Sequence, residues 1–292
     1  MKYRKFYFIF SGVLITGAIA CLLIFGLNPG IDFTGGSILE IKYETERPAN
    51  QQIKEKLSDF DLGEVYLQPT GEKGVILRMR NITEETHQQI IQKLNEGSEV
   101  EELRFESIGP VIGQELKEKT KIVVVLSLLA IVFYIAFAFR RLTFPAKSWQ
   151  YGIASLVALF HDVLIPLGVF SLLGNFYGVQ ITIPVIVALL TVLGYSINNT
   201  VVVFDRIREN LLKRVGATFE ETVDKSLNQT LARSLNTSLT TLFVLLAIFF
   251  LGGETLKYFA LALILGIVAG TYSSFFLVSS LLTSWLKWRK II

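Results

Sequence analysis

Cysteine is all but absent from this chain. Cys21 stands alone, so no internal disulfide can form. It lies inside an apolar run that continues through LLIFG, which speaks against a lipidated cysteine. Histidine is almost as scarce, and His87 and His161 are too far apart in sequence to make a zinc spacing. The sequence offers no phosphate-cradling glycine loop, no activated nucleophile and no metal cluster. No metal, cofactor, nucleic acid or enzymatic chemistry is therefore expected. Charge is thin as well: 18% of the 292 residues are charged against 51% hydrophobic. The net charge of +3 says little, because what matters is where the charges lie.

What the chain does have is apolar blocks of about 20 residues, the length that crosses a hydrocarbon core of about 30 Å. With a mean hydropathy of +0.50, it reads as an integral membrane protein. Lys2, Arg4 and Lys5 precede an apolar run from Phe6 to about Leu27. That run is longer than a signal-peptide core and lacks a small-residue cleavage site, so an uncleaved first helix is expected. Further blocks at about 122–139, 150–173, 180–203, 238–253 and 258–286 bring the expected spans to six. Arg140, Arg141 and Lys147 separate spans two and three; Arg206, Arg208, Lys213, Arg214 and Lys225 separate four and five; Lys287, Arg289 and Lys290 end the chain. The connection GNFYGVQ between spans three and four has no charge, and Glu254 and Lys257 are all that precede span six. Basic loops stay inside, which predicts a multi-pass protein with both termini cytoplasmic.

The division that follows is a tail and first helix over 1–30, an extracytoplasmic domain over 31–119, and a five-helix bundle over 120–292. In the middle part SILEIKY alternates like a half-buried strand, and ANQQIKEKLSDF spaces Ile53, Leu57 and Phe60 as a helix does. GEVYLQPT and GVILRMR read as two strands around the turn Gly71–Gly74. A second helix is expected over Thr83–Asn95, capped by Thr83 with Glu84 and Glu85 in its first turn, and EVEELRFESIG closes as a strand. The order β-α-β-β-α-β predicts a ferredoxin-like α+β domain. Within the bundle, Phe219, Val223 and Leu227 recur every four residues in the polar stretch 205–228, where a helix lying along the cytoplasmic membrane face is expected. In span six Ala262, Gly266, Gly270 and Ser274 form a small-residue stripe. Such a stripe admits a close helix from this chain or from a partner.

Polar groups inside a bilayer are costly and are candidates for function. Three sets qualify: His161 and Asp162 in span three; Ser196, Asn198, Asn199 and Thr200 in span four; Arg233 at the start of span five. At about 100° per residue Thr191, Tyr195, Asn198, Asn199 and Asp205 share one side of their helix. Gln229, Thr230, Asn236, Thr237, Thr240 and Thr241 fall within about 80° of Arg233. The expectation is a shared seam between spans three, four and five, with proton-coupled movement as its chemistry. The blander readings are a His161–Asp162 pair that ties helices, Asn198 and Asn199 as interhelical glue, a snorkelling Arg233, and surface ion pairs for Asp205 and Glu209.

GIDFTGGS, IGPVIGQEL, GYSINNTVVVFDRIREN and NQTLARSLNTSLTT, in this order, resemble the SecF family, the smaller membrane subunits of the bacterial SecD–SecF complex. The resemblance covers essentially the whole chain and includes Gly30, Asp32, Gly35 and Gly36 of the first motif and Asp205 and Arg206 of the third. It implies the resistance–nodulation–division type of membrane fold in the bacterial plasma (inner) membrane, among membrane lipid. It also implies partnership with SecD, the Sec translocon channel and the translocating preprotein, with the proton-motive force assisting late steps of export. The family's functional arginine falls on Arg233. Its intramembrane acid falls on Asn199, which cannot carry a proton. Either SecD then supplies the titrating carboxylate, with Asn199 keeping a hydrogen-bonding role, or Asp162 does, or coupling is weakened. A half-transporter of small molecules or lipids on the same fold, or a scaffold for SecD, are the competing functions.

Overall fold

Alternating side chains, capped helices and long apolar stretches resolve into two folded units in the computed structural model. It describes residues 3–140 and 147–289, without the side chains of Phe139, Glu254 and Thr255. Lys2, Arg141 and Lys290 of the basic segments lie outside that range. One unit comprises Asn28–Ile122 and Gly174–Thr182; the other comprises the described parts of Met1–Leu27, Val123–Leu173 and Ile183–Ile292.

In the first unit a one-turn helix α2 (Ile31–Thr34) leads into strand β1 (Gly36–Tyr43), followed by α3 (Asn50–Lys56), β2 (Tyr66–Thr70), β3 (Gly74–Met79), α4 (Glu84–Asn95) and β4 (Val100–Ile108). The sheet order is β2-β3-β1-β4 with every pair antiparallel. With a helix after β1 and another after β3, this is the ferredoxin-like arrangement. Register places Leu39 opposite Leu77 on one side and Phe105 on the other. Because side chains alternate along a strand, Leu39, Ile41 and Tyr43 face one way and pack with Ile53, Ile90 and Leu94 of the helices. The hydroxyl of Thr83 caps α4 by accepting from the Thr86 amide at 3.3 Å. The connector 174–182 completes the unit. Gly30 N–H donates to the Ile181 carbonyl at 2.8 Å, and Ile181 N–H to the Asn28 carbonyl at 2.7 Å.

The second unit contains helices α1 (Arg4–Phe25), α6 (Ser148–Tyr177), α7 (Ile183–Leu212), α8 (Phe219–Leu251), α9 (Glu254–Tyr272) and α10 (Val278–Trp288), the last two joined through a π turn (Ser273–Leu277). With α5 (Pro110–Phe139), six helices among the described residues are long and apolar enough to cross a membrane, α9 through α10 counting as one. They are not equally enclosed. In α6, α7 and α9–α10 the most apolar window is 44%, 50% and 61% buried, against 11%, 6% and 17% in α1, α5 and α8. The former are the inner helices; the latter keep most of their circumference bare.

No separate helix lies along a membrane face over 205–228. Residues 205–212 extend α7 and residues 219–228 open α8, with Thr218 as its cap. The reason is packing: Phe219 and Val223 bury with Phe204 and Ile207 of α7 rather than facing lipid. Asn210 Nδ2 adds hydrogen bonds to Ser226 Oγ and Gln229 Oε1, both 2.8 Å. The small-residue stripe of α9 serves this chain's own α7. A Cβ on Gly266 would lie 2.2 Å from Val192 Cγ2, and one on Gly270 would lie 3.0 Å from Ser196 Cβ. Likewise a Cβ on Gly168 of α6 would meet Ala18 of α1 at 2.6 Å. At the helix ends Glu220 holds Arg4 at 3.1 Å and Lys287 at 2.7 Å, joining α1, α8 and α10.

Candidate functional site: a buried polar seam and an outward arginine

Asp162 lies midway along the 30 residues of α6 and is fully buried, as is His161. Its Oδ1 is 2.8 Å from His161 Nδ1. Its Oδ2 accepts from Ser196 Oγ of α7 at 2.5 Å and from Ser273 Oγ, the first residue of the π turn, at 2.8 Å. The close approach at Gly270 makes this possible, because a Cβ there would sit 3.4 Å from the same carboxylate oxygen. One residue along, Ser274 Oγ pairs with Thr200 Oγ1 at 2.9 Å and donates to the Ser196 carbonyl at 3.4 Å. The π turn thus lets two consecutive serines bond into the same seam; π turns inside α-helices recur at functional sites. A second rung joins the same helices to α8: Tyr195 OH donates to Ser238 Oγ at 3.0 Å, and Ser238 pairs with Thr271 Oγ1 at 2.8 Å. Tyr272 continues to α1, its hydroxyl 3.1 Å from Ser11 Oγ and from the Tyr7 carbonyl.

The seam leaves two buried nitrogens without a hydrogen bond, His161 Nε2 and Asn199 Nδ2. Asn199 is only 4% exposed. A buried donor left unpaired costs about 1–3 kcal/mol, so the amide at this position is not held there by a bond of its nitrogen.

Asn198 and Arg233 are elsewhere. Both are exposed on this chain, as are Asn236, Thr237 and Thr240. The expected single seam is therefore split. Ser196, Asn199 and Thr200 turn inward toward the helix that carries Asp162, whereas Asn198 turns out; on α8 Ser234 and Ser238 turn inward and Arg233 turns out. One turn of sequence holds both orientations because neighbours are about 100° apart on a helix. The Tyr195–Ser238 bond fixes depth. From it Asn198 is three residues on and Arg233 five residues back, in the same direction along antiparallel helices, roughly 4.5 and 7.5 Å. The Arg233 guanidinium has no acidic partner among the described residues. Asp205 and Arg206 instead make surface pairs, Asp205 with Arg208 at 3.7 Å and Arg206 with Glu209 at 2.8 Å. Exposed pairs of this kind contribute about 0–1 kcal/mol.

Two further motif stretches meet in the first unit. Gly35 has φ +71° and Gly36 φ +137°, both in the region that favours glycine. A Cβ on Gly35 would come 2.8 Å from Pro110 Cα, and a Cβ on Gly113 would come 2.7 Å from the Gly35 nitrogen. GIDFTGGS and IGPVIGQEL are thus complementary backbones in direct contact. Gly30 supplies the amide to Ile181 noted above, and Asp32 sits in the first turn of α2. Sequence reasoning missed Ser273, Thr271, Tyr272 and Ser11. The adjacent serines 273–274 in an apolar span were the signal that could have revealed the π turn.

Relatives share this plan. The family described as protein export membrane protein SecD/SecF, C-terminal, matches residues 87–288, and the SecD/SecF GG motif matches residues 22–46. The chain is 42% identical to the protein translocase subunit SecF of Thermobaculum terrenum, over 98% of this chain and 93% of the relative. It is 39% identical to that of Vibrio alginolyticus, over 96% and 87%. A crystal structure of SecDF from Thermus thermophilus, titled a translocon-associated membrane protein, superposes with a TM-score of 0.85 at 34% identity. That match takes in 98% of this chain, which spans 38% of the longer one. Matched motifs, shared fold and near full-length identity agree: the chain belongs to the SecD/SecF family of protein export membrane proteins.

Proposed function

We propose that this chain is a SecF-type accessory subunit of the Sec preprotein translocase, not an enzyme. In this reading it sits in the bacterial plasma membrane with cytoplasmic termini, pairs with a SecD subunit beside the translocon channel, and draws on the proton-motive force to help preprotein leave. The observation that carries the reading is Arg233. An exposed guanidinium without an acidic partner, beside the apolar half of a membrane-length helix that is mostly bare, calls for a carboxylate from another subunit. Asn198 at similar depth is exposed as well, as are Thr237 and Thr240 of α8. Asn199, buried in the inner seam in the position where the family motif has an acid, cannot titrate, so in this reading the carboxylate that meets Arg233 comes from SecD. A proton neutralising that carboxylate alters its pairing with Arg233, and one charge moved through 100 mV is worth about 2.3 kcal/mol. That is enough to bias two packings of comparable energy.

The test is Arg233→Met in the assembled complex, in vesicles with and without an imposed proton gradient. Gradient-stimulated export falls to the level without a gradient while the SecD partner still co-purifies. Full stimulation in the variant rejects the reading.

A further inference from the structure

The polar seam and the Arg233 face leave one large space in the bundle without a role. It is a cleft of about 380 Å³ between α5, α6 and α7. At one level α5 packs closely: a Cβ on Gly152 of α6 would lie 3.5 Å from Ile135 Cγ2, and Ile135 is 2% exposed. Before that contact Val124, Leu128, Ile131 and Val132 line the cleft from the α5 side without closing it. Leu159 of α6 and Leu193 of α7, both core residues, line it as well, as does the exposed Phe160. All thirteen lining side chains are Val, Leu, Ile or Phe, and all belong to membrane-length helices.

Dimensions and chemistry decide what fits. At 1.5 Å per residue the lining runs about 12 Å along α5 (124–132) and about 16 Å along α6 (156–167). Spread over that length, 380 Å³ is a channel roughly 6 Å across. A helix with its side chains is about 10–12 Å across, so a partner's helix does not enter. Ordered water needs several polar partners, and the lining has none. A single hydrocarbon chain needs neither the width nor the hydrogen bonds, and between three helices it gains van der Waals contact along its whole length. We propose that this cleft holds one acyl chain of a membrane phospholipid, as a packing element between α5 and the inner helices α6 and α7. On α7 the lining begins at Ile186, in the first turn, so the chain enters from the half of the membrane that contains that turn. With no polar atom in the lining, the site takes the chain irrespective of the headgroup.

The experiment is photo-crosslinking of the assembled complex in vesicles that contain a trace of phosphatidylglycerol or phosphatidylethanolamine with a diazirine in its acyl chain, mapped by peptide mass spectrometry. Adducts concentrate on Ile131, Val163 and Leu190 of the cleft, over Leu126 and Phe133, exposed residues on the other side of α5. The two headgroups label alike. Leu128→Trp puts an indole into the cleft from α5; it lowers the cleft adducts to the level of Leu126 and Phe133 and leaves those two unchanged. If L128W does not assemble, Leu190→Phe carries the same test from α7, read at Ile131 and Val163. Cleft residues labelled no more than Leu126 and Phe133, adducts that the bulky variant leaves in place, or labelling that follows the headgroup overturns the proposal. Absent cleft adducts, with L128W releasing the SecD partner, would make the cleft a protein contact instead. Labelling persists in Arg233→Met whatever happens to export, so a silent Arg233 sinks the function proposed above and leaves the lipid site standing.

Discussion

Gly266→Ala measures how tightly the two inner helices are bound to each other. The added Cβ would lie 2.2, 2.6 and 2.9 Å from Val192 Cγ2, Cγ1 and Cβ. Valine has one strongly preferred χ1 rotamer in a helix, so its methyls stay in place and the backbones must part. Carbon contacts are optimal at about 3.5–4.0 Å, which requires a separation of roughly 1.3–1.8 Å. Overpacking of this kind costs about 1–3 kcal/mol. Between membrane helices the lost term is van der Waals contact rather than water release. The seam would feel the same movement, because Ser196 and Gly270 lie one turn further on the same two helices. Val192→Ala removes both methyls and leaves only the 2.9 Å contact, so G266A on that background needs roughly 0.6–1.1 Å of parting. Equilibrium unfolding in mixed micelles, followed by helical circular dichroism, gives the cycle. The double variant is expected to be at least about 1 kcal/mol more stable than the sum of the single losses implies. Additivity within about 0.5 kcal/mol, or a G266A variant as stable as the wild type, refutes the close approach of α7 and α9.

Two further outcomes can be checked directly. Asn199→Asp assembles normally, because Asn199 Nδ2 makes no hydrogen bond to lose, and gradient-dependent export in vesicles equals or exceeds that of the wild type; loss of assembly would point to a packing role of the amide instead. Gly35→Ala lowers stability by about 2–4 kcal/mol, combining a positive φ with a Cβ forced onto Pro110. A melting temperature within about 1 °C of the wild type would contradict that backbone contact.

Much of this architecture was legible in the sequence because its causes are local. The alternation of SILEIKY and GVILRMR gave strands, since a residue's face in a strand depends on parity alone. Thr83 marked a helix start because a cap is decided within three residues. Apolar length gave the spans. What could not be read was which arc of a helix meets which neighbour. Asn198 and Asn199 look alike in the sequence, yet only Asn199 is buried, because neighbours point about 100° apart and the sequence does not say which arc faces the inner helices. The stretch 205–228 shows the same limit. Its four-residue apolar spacing fitted a helix on lipid as well as one half of a helical hairpin, and only Phe204 and Ile207 across the turn decide between them. The meeting of Gly35 with Pro110 and Gly113 was also hidden, because nothing in either motif names the other.

The backbone stitch between residues 28–30 and Ile181 makes the small α+β unit discontinuous in the gene. Cutting out 31–119 as a free-standing piece would discard the connector between α6 and α7, uncovering Val179 and Ile181, both nearly inaccessible in the intact chain. Insertions in GNFYGVQ would therefore act as core mutations of a distant fold, and a loop that looks dispensable on a hydropathy plot is one of its missing edges.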